Sequence, residues 1–150
     1  MKHSLLAVVM LSLAACASDP DFEEIVEEHR DELPALRDCG EVELGHECRT
    51  ELDPAEQCLV DAFAACEPAE LRMLQHSVEG DPIPSVHFVE PGDECRVVQL
   101  TDHSADEFKG DYGDVVESSC SGLAVQSHDE AAGACATLVQ EDCTTVDEWS

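Results

Sequence analysis

Nine cysteines set against only six aromatic side chains constrain this 150-residue chain more than any other feature. Phe22, Phe63, Phe88, Phe108, Tyr112 and Trp149 are too few to fill a core, so packing must rest on Val, Leu, Ala and cysteine. Thirty-five Asp and Glu residues stand against seven Lys and Arg, a formal charge of −28. Self-repulsion on that scale opposes compaction. Disulfides at about 2–4 kcal/mol each would offset it, a large contribution beside a typical total stability of about 5–15 kcal/mol. An odd number of cysteines leaves one without a partner in the chain.

The odd cysteine is Cys16. It follows Leu13-Ala14-Ala15 and closes an apolar run, Ser4 to Ala14, that begins just after Lys2. The run is too short for a spanning helix, which needs about 20 apolar residues. A positive start, a short apolar middle and small residues at the end make an export signal. Leu13-Ala14-Ala15-Cys16 resembles the lipobox of bacterial lipoproteins. The resemblance implies cleavage between Ala15 and Cys16 and a diacylglycerol thioether on Cys16. Several acyl chains at about 0.8 kcal/mol per buried CH2 would anchor the protein without a transmembrane segment. Ala17, where an Asp would signal retention, implies the outer membrane of a Gram-negative bacterium. The expected organisation is a signal at 1–15, a lipidated cysteine and short tether at 16–20, and one domain at 21–150.

Export changes how the remaining cysteines read. Cys39, Cys48, Cys58, Cys66, Cys95, Cys120, Cys135 and Cys143 form an even set, which in an oxidising compartment suggests four disulfides. Loss of Lys2 with the signal leaves six basic residues against 35 acidic ones, a formal charge of −29. Nucleic acid is excluded as a partner, because affinity for phosphates is built from Lys and Arg. Cations and basic proteins fit the charge, and so does a simple solubilising surface.

Local patterns predict an α+β domain. Asp19-Pro20 suits a helix start, and Phe22, Ile25, Val26, His29, Leu33 and Leu36 form one apolar stripe. Pro34 should stop that helix near Glu32, with Gly40 as a further stop. Residues 41–52 read as a connection. Asp53-Pro54-x-Glu56 is a capping box for a second helix that buries Cys58, Leu59, Ala62, Phe63 and Cys66 and ends at Pro68. Leu71–Glu79, Ser85–Glu90, Cys95–Thr101 and Val115–Val125 read as an antiparallel sheet of about four strands. Ser127-x-x-Glu130 is another capping box and predicts a C-terminal helix from His128 to about Val139; a strand from Ala134 is the rival. Cys58 and Cys66 lie about 12 Å apart along one helix, beyond disulfide reach. If 39–48 runs antiparallel to the second helix, Cys48–Cys58 and Cys39–Cys66 follow as nested pairs, leaving Cys95–Cys120 and Cys135–Cys143.

Sites of chemistry are harder to find. A hairpin turning at 81–82 would set His76 opposite His87, with His103 near, a constellation suited to copper or zinc. Structural zinc has no C-x-x-C to support it. Asp102, Asp106, Asp111 and Asp114 supply oxygen for calcium in the 101–114 loop, but their spacing fits no EF-hand. No nucleophile elbow, zincin helix or phosphate-binding glycine loop occurs. The acidic, Cys-rich body resembles small lipoproteins of some Gram-negative bacteria, a likeness that covers residues 20–143 in general character and implies no activity. The expectation is a membrane-anchored envelope protein, a non-enzymatic binding or structural module with no cofactor beyond its lipid. Alternatives are a divalent-cation-binding module and a small disulfide-rich inhibitor domain.

Overall fold

The computed structural model describes residues 20–45, 49–111, 113–130 and 133–149, with backbone alone at 128–130, 133 and 134. Elements follow in the order α1 (Phe22–Glu32), β1 (Arg37–Glu43), α2 (Pro54–Ala65), β2 (Ala69–His76), β3 (Pro82–Glu90), β4 (Arg96–Asp102), β5 (Val115–Glu130) and β6 (Gly133–Trp149). Six strands form one mixed sheet in sequence order. β1 and β2 are parallel, with α2 as their crossover, and every later neighbour is antiparallel. Among the described residues no helix is long and apolar enough to cross a membrane.

The sheet is buried on both faces at its centre. Val86 and Phe88 of β3 pair with Leu100 and Val98 of β4 on one face. Phe22, Ile25 and Val26 of α1 pack there, with Val115 and Trp149. Ala69, Leu71 and Met73 of β2 meet Ala55, Leu59 and Ala62 of α2 on the other face, with Val42 and Val89. Ser85 through Val89 are consecutively buried, so β3 reads as a continuous run and not as an alternating one.

Each helix is fixed at its ends by local chemistry. Asp21 caps α1 by accepting from the Glu24 backbone N–H at 2.9 Å, and the chain leaves the helix at Leu33, just before Pro34. Ion pairs then hold α1 on the sheet. Arg72 of β2 donates both terminal nitrogens to Glu23 at 3.0 and 3.1 Å, and Arg30 Nε donates to Glu70 at 2.8 Å. His29 lies 3.6 Å from Glu90 and 3.5 Å from Glu117, stacked on Phe88. The Glu90 and Glu117 carboxylates beside it hold its pKa above the usual imidazole value. α2 carries the expected capping box, with Asp53 accepting from Ala55 N and Glu56 accepting from Asp53 N at 2.8 Å. Glu56 is 1 % exposed and faces Arg49 at 2.9 Å, so its charge is paired where it is buried.

Three expectations are corrected. The architecture is a six-stranded mixed sheet with a helix on each face, not two N-terminal helices followed by a four-stranded antiparallel sheet. β1 occupies part of the stretch expected to connect the helices, and Gly40, at φ +94°, lies inside a register shift of that strand instead of stopping a helix. Residues 128–130 and 133–139 are strand, paired out to Glu130↔Gly133, so cross-strand pairing overrides the local capping signal. The outer part of this long hairpin brings Leu123 and Leu138 to the α2 cluster. Gln140 of β6 reaches His87 of β3, although β4 and β5 lie between these strands, which a flat sheet would not allow. The hairpin therefore bends over the α2 face.

The disulfides differ as well. Cys39–Cys58 joins β1 to α2 with Cα atoms 5.5 Å apart, and Cys120–Cys143 joins directly opposite residues of β5 and β6 at 4.0 Å. Cys135 is also disulfide-bonded. Cys66 and Cys95 are free thiols. The pairs Cys39–Cys66, Cys48–Cys58, Cys95–Cys120 and Cys135–Cys143 are thereby overturned. Their premise fails because residue 39 belongs to a sheet strand that α2 crosses, and because Cys120 faces Val97 on β4, two residues past Cys95. Cys48 and the lipobox Leu13–Cys16 lie outside the described residues.

Candidate functional site

At the start of α1, the sheet ends enclose a cleft of about 490 Å³ lined by Pro20, Asp21, Phe22, Glu23, Pro84, Asp102, Ser104, Asp114, Val115 and Trp149. Its aromatic wall depends on a close backbone approach. A Cβ on Gly113 would lie 2.6 Å from the Trp149 carbonyl oxygen, so only glycine lets the chain entering β5 pass the end of β6. The chain is closed nearby by the His103 backbone N–H donating to the Asp114 carbonyl at 2.6 Å.

The cleft contains four carboxylates in two electrostatic classes. Glu23 is held below the usual carboxylate range by hydrogen bonds from Arg72, and Asp114 is paired with Lys109. Asp21 and Asp102 instead accept backbone N–H groups, from Glu24 and from Ser104 at 2.8 Å. Those bonds leave their formal charge uncompensated by a cation among the lining residues. An indole beside uncompensated carboxylates suits an ammonium or guanidinium group, which the ring face and the carboxylates attract together. Arg30, Arg49, Arg72, Arg96 and Lys109, five of the chain's seven Lys and Arg side chains, are engaged in ion pairs within the body. The surplus negative charge therefore dominates the field outside.

The histidine constellation expected from sequence is not assembled. The hairpin loop spans Ser77–Asp81, so His76 pairs with Pro82 and His87 pairs with Leu71. His76 stands 4.0 Å from Glu43, partly exposed. His87 is buried, with Nε2 3.0 Å from Ser85 Oγ and Nδ1 bonded to Gln140. Burial pushes its pKa down to about 4, so it is neutral near pH 7. His103 begins the loop after β4. No cluster of three or more metal-ligating side chains occurs among the described residues. In the 101–114 loop, Asp102 and Asp106 turn back onto the Ser104 and Phe108 backbone, which disperses the carboxylates expected for calcium.

Ser85 and His87 do not form a catalytic dyad. Ser85 is 2 % exposed, and among the described residues the imidazole is oriented by Gln140 and not by a carboxylate. A nucleophile must reach its substrate. The pair is an interior hydrogen-bond chain.

Sequence patterns missed the cleft because its wall comes from the ends of five separate elements, α1, β3, β4, β5 and β6. The one available signal was a lone Trp149 near the C-terminus of an aromatic-poor chain. Comparison with known proteins gives no matching family model, no matching curated protein and no matching solved structure.

Proposed function

We propose that this chain is a lipid-anchored protein of the bacterial envelope that binds a cationic partner, without catalysis, in the cleft between Trp149 and the start of α1. The cleft's combination of an indole with Asp21 and Asp102 carries the binding half of this proposal. The lipobox sequence Leu13-Ala14-Ala15-Cys16 supports the anchor, with the outer membrane as the destination suggested by Ala17. The partner that fits is a basic segment of an envelope protein, presenting Lys or Arg to the cleft and drawn in by the field of the body.

Both halves are testable in the full-length protein. Cys16→Ser should move the protein from the membrane fraction to the soluble fraction of an expressing Gram-negative cell; a variant still membrane-bound after a salt wash overturns the anchor. Calorimetric titration with oligolysine should give a saturable heat that weakens as salt screens charges beyond about 8 Å at physiological ionic strength. An equal heat from oligoglutamate would overturn the cationic assignment.

A further inference from the structure

Two thiols converge at the end of α2. Cys66 is the helix C-cap, and its backbone N–H donates to the Phe63 carbonyl at 3.0 Å. Cys95, in the connection between β3 and β4, directs its thiol at the same carbonyl at 3.7 Å. The Cys66 thiol lies near enough to Cys95 to push the Cys95 pKa up. Both are only partly covered. Cys66 sits at φ 52° and ψ 46°, a left-handed cap position that favours glycine, so its side chain is present against the backbone's preference. Structural thiols buried in apolar surroundings are inert, whereas a partly accessible pair in mutual contact can exchange.

We propose that Cys66 and Cys95 are an oxidisable dithiol that closes a Cys66–Cys95 disulfide by exchange with a disulfide oxidant, either a small-molecule disulfide or a disulfide-bearing protein. The Cys66 thiolate attacks one sulfur of the oxidant, forming a mixed disulfide and expelling the other sulfur as a thiolate that takes up a proton. Cys95 then loses its proton to solvent and attacks Cys66 Sγ. The new intrachain bond forms as the second oxidant sulfur leaves and is protonated. The protein loses two hydrogens, and the oxidant is reduced to two thiols. Cys66 attacks first because desolvation and the neighbouring Cys66 thiol push the Cys95 thiol up to about 12. The product ties the end of α2 to the β3–β4 connection, while Cys39–Cys58 already ties the helix to β1.

The test is incubation of the exported, folded protein with oxidised glutathione, followed by maleimide blocking and peptide mapping. The expected product has lost two maleimide-reactive thiols and contains a peptide joining residues 66 and 95. Cys95→Ser should stop at one glutathione adduct on Cys66. Cys66→Ser should react about tenfold or more slowly, as a thiol that keeps its proton would. Isolation with that bridge already closed, and reopened by mild reductant while Cys39–Cys58 and Cys120–Cys143 persist, is the same result reached in the cell. Two glutathione adducts without a bridge, two unreactive thiols, or faster reaction of Cys66→Ser than of Cys95→Ser would overturn the proposal.

Discussion

Phe88→Ala is expected to remove about 4 kcal/mol of stability, the largest single-residue effect in the molecule. Phe88 is fully buried in the strand that both faces of the sheet share. It packs beside Val98 and beneath α1, and its ring stacks on His29 with centroids 5.7 Å apart. Truncation leaves a cavity that neighbouring β strands cannot close without breaking register, and it removes the support that holds His29 between Glu90 and Glu117. The measurement is a urea unfolding curve. The midpoint should fall sharply while the slope stays constant. A loss below about 1 kcal/mol would mean that α1 does not dock where the structure places it, since collapse of a well-packed site rarely costs so little.

Acid should destabilise the fold through His87, by about 3 kcal/mol between pH 7 and pH 4. The unfolded chain takes up this proton near the ordinary value of about 6.5. The folded chain does so only near about 4, because the buried ring would have to carry charge away from water. Between those values the unfolded state binds more protons, so stability falls as pH falls and the effect levels off below about 4. His29 acts in the opposite direction. Its raised pKa makes its contribution complete below about 6.5, and the contribution fades as pH rises through the folded value. His87→Gln keeps a side chain that can bond Ser85 and Gln140 but takes up no proton. Urea midpoints of both proteins at pH 7 and pH 4 separate this effect from the many carboxylates they share. Wild type should lose about 3 kcal/mol more than the variant over that interval; equal losses would show that the folded histidine takes up its proton as readily as the unfolded one.

Local chemistry was legible in the sequence; pairing was not. The capping box Asp53–Glu56 lies within four residues and produced α2 at the expected start. The expected strands Leu71–Glu79, Ser85–Glu90 and Cys95–Thr101 overlap β2, β3 and β4. β1 left almost no trace, because Arg37–Glu43 buries only Val42 and exists as a strand through its ladder with β2. The C-terminal hairpin shows the same principle in reverse. Ser127 and Glu130 satisfy a helical cap pattern, yet residues 121–127 needed a partner strand, which the opposed Cys120 and Cys143 hold in register. The expected histidine pair failed on register alone. Ser77 closes the loop by accepting from the Glu79 and Asp81 backbone N–H groups, which places the turn before residue 82 and carries His87 to Leu71. Disulfide partners and the cleft depend on distances between elements, which no local pattern encodes.

Trp149 is the chain's only tryptophan and lines the proposed binding cleft, so its emission reports on that site alone. Titration of the protein with a short lysine peptide at low salt should give a saturable change in Trp149 fluorescence. Asp102→Asn, which retains an acceptor for the Ser104 N–H, should weaken it about two- to fivefold, as expected for loss of one partly exposed charge contact. Saturable calorimetric binding with unchanged Trp149 emission, or with Asp102→Asn indistinguishable from wild type, would contradict the cleft as the site of recognition.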